Sequence, residues 1–178
     1  MRPTREAIRQ NRWSYFATTQ TANRRPFFRH ERWAQLLART ICHYAQATFH
    51  LNAYVIMPDH FHILLAPNDT LEKSMQLIKG GFSFRAGREL DWCGEIWQHG
   101  LTDHRIRDEQ DWRHHLHYIR QNPVQARLAE EPVLYPYMSF PDEVFPQGLK
   151  PLRETMPNVR AEARTLQMPR NCDPAQNC

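Results

Sequence analysis

The sequence has no long hydrophobic run. Among its 178 residues, no stretch approaches the roughly eighteen consecutive apolar residues that a membrane helix needs. The first residues also lack the apolar core of a secretory signal peptide. We therefore expect a cytoplasmic protein without membrane contact. With 41% hydrophobic residues, the chain is long enough for one domain with a substantial core.

Cysteine is scarce as well. The four cysteines, Cys42, Cys93, Cys172 and Cys178, form no Cys-x-x-Cys pair. This spacing argues against structural zinc and against a disulfide framework, and it favours reduced thiols. We expect the first two cysteines to pack in the interior and the last two to face solvent.

Lysine is nearly missing, with three lysines against 20 arginines. Nine of the arginines lie within residues 1–39, where only Glu6 and Glu31 oppose them. Guanidinium groups grip phosphates and stack on bases, so a nucleic-acid partner and a nucleoid-associated location are the natural inference. A GC-rich genome explains the ratio equally well, but it does not explain the clustering near one end.

Hydrophobic periodicity divides the chain into strands and helices. Strands are predicted over residues 12–19, 49–57, 61–66 and 96–106, and helices over 28–47, from 70 onward and from 108 onward. Gly80 and Gly81 should break or loosen the second helix, and Pro123 should end or bend the third near Asn122. This order predicts an α+β sandwich, a mostly antiparallel sheet of four to five strands with helices packed on it.

Proline becomes frequent after Leu128 and interrupts regular periodicity. The sequence therefore predicts one domain over residues 1–146 and a proline-rich, mobile tail over residues 147–178. A short helix near 159–166 fits within that tail.

Two short signals point to chemistry. His60 and His62 alternate along a predicted strand, so both imidazoles project from one face and can share an ion. Tyr118 and Asn122 are four residues apart on a predicted helix and also share a face. Each signal alone is weak, because a His-x-His triplet arises by chance and a helix tyrosine usually just buries its ring. Together they predict a metal site that faces a nucleophile.

In combination, these motifs resemble those of the REP-associated tyrosine transposases, which are single-tyrosine HUH transposases with an IS200-like domain. The segments that carry the resemblance are residues 15–18, 24–28, 55–64, 97–98, 103–108 and 118–124. The resemblance implies a ferredoxin-like, HUH-type sandwich, and it spans about residues 12 to 140.

The resemblance also implies roles for individual residues. His60 and His62 would be metal ligands, Asn122 a third ligand and Tyr118 the nucleophile, with Mg²⁺ or Mn²⁺ as the cofactor. The substrate would be single-stranded or hairpin DNA of the REP type, nicked and rejoined through a 5′-phosphotyrosine linkage. Related enzymes carry the longer glutamine in place of Asn122, so ligation through a water is an open alternative. Asp59 replaces a more usual asparagine, and we expect no chemical consequence because both residues serve turns.

Cationic side chains are the candidates for DNA contact: Arg12, Arg24, Arg25, Lys79, Arg85, Arg88, Arg105 and Arg107. His114 precedes Tyr118 by one helical turn and is a candidate proton acceptor, although an ordinary exposed helix face explains it better. His104 suits a DNA contact or a strand cap equally well. Trp97 is expected in the core rather than stacked on a base.

Two other functions fit the same residues. One is a metal-dependent nuclease that acts without a covalent step. The other is a non-catalytic protein that binds REP hairpins and has kept only the fold. A monomer and a homodimer are equally compatible with the sequence.

Overall fold

A five-stranded antiparallel sheet organises the molecule. The structure, a computed structural model, describes residues 13–45 and 47–140. The strands are β1 (Tyr15–Gln20), β2 (Phe49–Met57), β3 (His60–Pro67), β4 (Thr102–Arg105) and β5 (Met138–Ser139), in the spatial order β4-β1-β3-β2-β5. The α-helices are α1 (Glu31–Tyr44), α2 (Leu71–Glu89) and α3 (Glu109–Gln125). The predicted α+β sandwich is confirmed.

The sheet has two unlike faces. Since side chains alternate along a strand, Phe61, Ile63 and Leu65 point towards α1 and α2 and form one core with Phe82. Between them, Leu64 points to the other face, where it packs with residues of β2 and α3. The residues of α3 in that second core are Trp112, Leu116 and Ile119.

The strands β2 and β3 form a hairpin whose turn is the dipeptide Pro58-Asp59, as predicted, with Met57 opposite His60. The segment between β1 and α1 fixes this turn from the side. The amide of Thr21 donates to the Asp59 carbonyl at 2.9 Å, and the amide of Phe28 donates to the Pro58 carbonyl at 3.0 Å. The hairpin end is therefore held from outside the two strands.

The prediction that Gly80 and Gly81 break or loosen the second helix is wrong, because α2 continues through both glycines. A Cβ atom added to Gly81 would lie 2.5 Å from the Tyr44 hydroxyl oxygen, whereas one added to Gly80 would meet nothing within 4 Å. Gly81 thus allows α1 and α2 to approach closely. Packing at this contact offsets the low helix propensity of glycine, which costs about 1 kcal/mol per residue relative to alanine.

Several predicted boundaries also differ from the structure. The predicted strand over 96–106 is reduced to β4, because Gly100 adopts φ 77° and interrupts it. Helix α3 continues past Asn122 to Gln125 with Pro123 inside it. Cys42 and Cys93 are exposed rather than packed, since Cys42 lies beside the buried stripe of α1 and not in it.

The first strand was predicted from residue 12, but β1 begins at Tyr15, after Trp13 and Ser14. Other predictions fall outside the described residues. These are Arg12, the domain boundary near 146, the tail over 147–178 with its short helix, and the solvent exposure of Cys172 and Cys178. Within residues 13–45 and 47–140, none of the helices combines the length and apolar composition needed to cross a bilayer.

Candidate active site

His60 and His62 project from β3 towards the face that α3 covers. Their neighbours across the sheet on β1 are Gln20 and Thr18, respectively. The two imidazole centroids lie 4.8 Å apart with their planes at 78°. The shared face predicted from the His-x-His spacing is therefore present.

Both imidazoles use Nδ1 for a contact within the protein. His60 Nδ1 donates to Asp59 Oδ1 at 2.6 Å, because a carboxylate can only accept. His62 Nδ1 lies 2.7 Å from the hydroxyl oxygen of Thr18, which can accept its proton. A neutral imidazole with its proton on Nδ1 offers its lone pair on Nε2. With Nδ1 engaged in both rings, Nε2 is the atom through which each would bind a metal.

His62 Nε2 is buried and has no hydrogen-bond partner among the described residues. Burial, with a smaller effect of neighbouring His60, lowers the pKa of His62 to about 3. The ring is therefore neutral near pH 7, which is the form that binds metals. A buried nitrogen whose lone pair has no partner costs free energy. A bound cation would accept this lone pair and offset that cost.

Helix α3 brings the tyrosine to the histidines. Asp108 caps its N-terminus, where the side chain accepts a hydrogen bond from the Asp111 amide at 2.8 Å. The Tyr118 ring packs edge-on against His62 at 5.2 Å and against Phe16 at 5.7 Å. Tyr118 is 39% exposed, so a phosphate can approach its hydroxyl from solvent.

Asn122 lies one turn beyond Tyr118 on α3 and is buried. Its amide oxygen, with Nε2 of His60 and of His62, would give two nitrogen donors and one oxygen donor. Such a set fits a divalent ion and leaves coordination positions for a substrate oxygen. The residues present therefore fit the metal that the sequence resemblance implies, while the three ligand roles remain predictions.

The expectation that aspartate at position 59 has no chemical consequence overlooks its side chain. Its carboxylate accepts the His60 Nδ1 proton at 2.6 Å and lies 3.5 Å from the guanidinium of Arg24. An asparagine oxygen can accept the same bond, but without the negative charge that makes the imidazole a stronger ligand. The sequence feature that could have indicated this contact is an acidic residue directly before the His-x-His triplet.

A second polar cluster on this face was not predicted as a unit. Asp111 Oδ2 accepts hydrogen bonds from His104 Nε2 at 2.8 Å and from the Arg107 amide and Nε at 3.1 Å each. His115 Nδ1 lies 2.8 Å from the Asp111 carbonyl oxygen. Burial raises the pKa of Asp111, but the hydrogen bonds from His104 and Arg107 outweigh burial and hold that pKa well below its usual range.

Phe16 joins this cluster to the histidine pair. Its ring stacks on His62 at 5.3 Å and packs against His115 at 4.7 Å, and His115 in turn stacks on His104 at 4.7 Å. Neither alternative considered for His104, DNA contact or strand cap, anticipated its pairing with Asp111. Sequence spacing does not show this pairing, because it depends on the turn between β4 and α3.

The described candidates for DNA contact fall into two groups. Arg24, Arg25, Arg105 and Arg107 lie on segments that flank β1 and the start of α3, whereas Lys79, Arg85 and Arg88 lie on α2, across the sheet from α3. Arg24 contacts Asp59, Arg105 lies 4.7 Å from the centroid of the Trp13 ring, and Arg107 contacts Asp111. Within the first group, Arg24 is linked to the histidine pair through Asp59.

Lys79 has a structural role in addition to the predicted one. Its ammonium donates to the carbonyls of Gln98 and Gly100 at 3.0 Å each, and burial lowers its pKa. Trp97 lies in the core as predicted, with its indole nitrogen donating to the Lys79 carbonyl at 3.0 Å. His114 is exposed and packs edge-on against His115 at 5.4 Å.

Comparison with known protein families defines the class of protein. The family model described as "Transposase IS200 like" matches residues 10–122, which is more than half of the chain. The chain belongs to the IS200-like transposase family.

Within that family, the chain is similar to the REP-associated tyrosine transposase of Escherichia coli K12. The two are 28% identical over 142 residues, which cover 78% of this chain and 82% of that protein. A relative from Haemophilus influenzae is 34% identical over 108 residues, which cover 54% of this chain and 61% of that one. The resemblance identified from the sequence motifs is confirmed.

A solved structure gives the same answer for the fold. It is a REP-associated tyrosine transposase bound to a REP hairpin, with a TM-score of 0.65 and 26% sequence identity. The similarity covers 77% of this chain and 82% of that one. The ferredoxin-like, HUH-type sandwich expected from the sequence resemblance agrees with this similarity.

Proposed function

We propose that this chain nicks and rejoins single-stranded DNA beside REP-type hairpins, with Tyr118 as the nucleophile. The observation that carries the proposal is the contact between the half-exposed Tyr118 ring and His62, whose buried Nε2 has no partner among the described residues. The candidate nucleophile thus packs directly against a candidate metal ligand, and its ring is reached from solvent. The hairpin substrate is inferred from the relatives, one of which is solved with a REP hairpin.

In the proposed reaction, the Tyr118 hydroxyl oxygen attacks a backbone phosphorus and the bond from phosphorus to O3′ breaks. The new bond links the 5′-phosphate to tyrosine, and the proton lost by the phenol is balanced by the one gained at the 3′-hydroxyl. Because the phosphotyrosine linkage conserves the energy of the diester, a second 3′-hydroxyl can reverse the step and join a different end. Strand transfer then needs no hydrolysis.

The residues around Tyr118 support this role. Phe16 and His62 hold its ring from two sides, so the hydroxyl is presented from a fixed position rather than a freely rotating side chain. A phenol has an unperturbed pKa of about 10 and therefore needs assistance to attack at neutral pH. His114, one turn earlier, remains the candidate for the first acceptor of its proton.

His60, His62 and Asn122 would hold a divalent ion, Mg²⁺ or Mn²⁺. When bound, such an ion polarises a phosphate oxygen and offsets the negative charge that develops during the attack. Asp59 and Thr18 contribute by fixing the two imidazoles with Nε2 available. Arg24, Arg25, Arg105 and Arg107 are the proposed backbone contacts, since they flank this face.

The experiment that tests the proposal is incubation of an end-labelled REP hairpin carrying a single-stranded flank with wild type and with Tyr118→Phe. We expect wild type to give a covalent protein–DNA band in Mg²⁺ or Mn²⁺, and the band to disappear with EDTA or in the variant. The matched control is Tyr137→Phe, which removes the hydroxyl of a half-buried tyrosine outside the candidate site and should leave the band unchanged.

Other outcomes identify the rival functions. Cleavage that survives in Tyr118→Phe without a covalent band would contradict the proposal and indicate a metal-dependent nuclease. Tight hairpin binding without cleavage in any divalent ion would contradict it too, and would indicate a DNA-binding protein that has lost turnover.

A further inference from the structure

Outside the candidate active site, two histidines and an aspartate converge where β4 meets α3. One ligand atom each from His104, Asp111 and His115 can be chosen so that all three lie within 4.8 Å of one another. His104 comes from the edge strand, whereas Asp111 and His115 come from successive turns of the helix. The convergence is thus tertiary, and it is not explained by the i, i+4 spacing within α3 alone.

The donor atoms already have nearly the spacing of metal ligands. His104 Nε2 lies 2.8 Å from Asp111 Oδ2, and His115 Nδ1 lies 3.2 Å from Asp111 Oδ1. In a tetrahedral zinc site, with metal–ligand bonds near 2.0–2.2 Å, neighbouring ligand atoms are about 3.3 Å apart. These two spacings are thus within about half an ångström of that value. An ion would replace the proton that His104 Nε2 directs at the carboxylate and the proton on His115 Nδ1, an atom that now lies 2.8 Å from the Asp111 carbonyl oxygen.

We propose that His104, Asp111 and His115 form a second divalent-cation site, distinct from the histidine pair of β3, and that zinc is its best-fitting ion. Two imidazole nitrogens and one carboxylate oxygen are typical zinc ligands, and three protein ligands leave a fourth position for water. The rings of His104 and His115 are stacked, with centroids 4.7 Å apart and planes 20° from parallel, and each has a nitrogen within 3.2 Å of an Asp111 carboxylate oxygen.

Arg107 holds the place of the cation in the metal-free protein. Its Nε lies 3.1 Å from Asp111 Oδ2, so the guanidinium offsets the charge of the carboxylate. The Arg107 side chain is 69% exposed and can move into solvent when an ion binds. Removal of Arg107 should therefore strengthen zinc binding, because the ion no longer competes with a resident cation.

The position of this site gives it a consequence for α3. An ion there would link the edge strand β4 to the first two turns of the helix that carries Tyr118. Phe16 contacts His115 at 4.7 Å and Tyr118 at 5.7 Å, so it connects the two sites directly. The proposed ion would stabilise this helix position whether or not the chain processes DNA.

The test is calorimetric titration of metal-stripped protein with Zn²⁺ in the full chain, in a His60→Ala/His62→Ala background that silences the first site. We expect one zinc per chain to remain bound. Adding Asp111→Asn or His115→Ala should weaken that binding by at least about tenfold, on the scale of perturbing a ligand shell. Adding Arg107→Ala should tighten it. The control is His99→Ala, which removes a fully exposed imidazole and should change nothing.

Circular dichroism and melting of each variant separate lost folding from a lost ligand. If Asp111→Asn unfolds, the zinc affinity of Arg107→Ala still tests the proposal, because that variant keeps all three proposed ligands. Zinc that stays bound equally well after both Asp111→Asn and His115→Ala would overturn the proposal. So would the absence of zinc binding in the silenced background, or an Arg107→Ala variant that binds zinc no more tightly.

Discussion

The two faces of the sheet are built by the same strands but do different work. Along β3, Phe61 and Ile63 enter an aromatic-rich core under α1 and α2, whereas His60 and His62 point to the face that α3 covers. One residue of offset therefore separates a side chain that stabilises the fold from one that carries the proposed chemistry. A strand can thus supply rigidity and reactivity together, because each face is packed by a different helix layer.

The largest expected effect is on the packed face. Phe61→Ala should lower the free energy of unfolding by about 3–5 kcal/mol, because Phe61 is fully buried among large rings and its removal leaves a cavity. Urea denaturation followed by circular dichroism measures this loss. A variant that loses less than about 1 kcal/mol would mean that this face is not the stabilising one.

The neighbouring position should behave in the opposite way. His62→Ala should reduce DNA cleavage by at least about 100-fold, equivalent to about 2.7 kcal/mol of transition-state stabilisation, because it removes a proposed metal ligand. Its effect on unfolding should be smaller than that of Phe61→Ala, since the variant also removes a buried nitrogen without a partner among the described residues. Single-turnover cleavage and denaturation of the same preparation would measure both. A stability loss equal to that of Phe61→Ala would remove the distinction between the faces.

Asp59→Asn sharpens the comparison at the hairpin end. The amide should keep the turn but weaken metal binding by about tenfold, because the oxygen that faces His60 Nδ1 loses its charge. The ion pair with the mostly exposed Arg24 contributes little to stability, so the melting temperature should hardly change. Mn²⁺ titration of wild type and variant tests this, and equal affinities would contradict a role for the carboxylate.

The smallest expected effect is on stability, in the helix layer of the packed face. Two neighbouring glycines of α2 form a matched pair for measuring it. Gly80→Ala should stabilise the protein by about 0.5–1 kcal/mol, because alanine favours the helix and the added methyl meets open space. Gly81→Ala should destabilise it, because its methyl would overlap the Tyr44 ring. Thermal melts of both variants give the sign, and stabilisation by both would mean that the α1–α2 contact yields easily.

Local rules were sufficient for much of this architecture. The sequence predicted β2 over residues 49–57, the Pro58-Asp59 turn and the start of α3 at Asp108, because period-two alternation, turn residues and a helix cap act within a few residues. It also placed His60 and His62 on one face. These features depend on neighbours along the chain rather than on tertiary contacts.

Features that depend on tertiary contacts were beyond the sequence. Gly81 reads as a helix breaker until Tyr44 is seen against it, and Gly100 shortens a strand that its flanking residues favour. The pairing of His104 with Asp111 requires the chain to turn between β4 and α3, and nothing in the spacing shows that turn. The sequence explained Asp59 as a turn residue. Its contact with His60 depends on the orientation of the imidazole ring, which the sequence does not show.

The most direct test of the account is peptide mapping by mass spectrometry of protein trapped with a REP-hairpin substrate and Mn²⁺. We expect a nucleotide joined by a phosphodiester to Tyr118, and no adduct in His62→Ala. An adduct on another tyrosine, or abundant cleavage with no adduct, would contradict the claim that the α3 face carries a tyrosine nucleophile against the histidine pair.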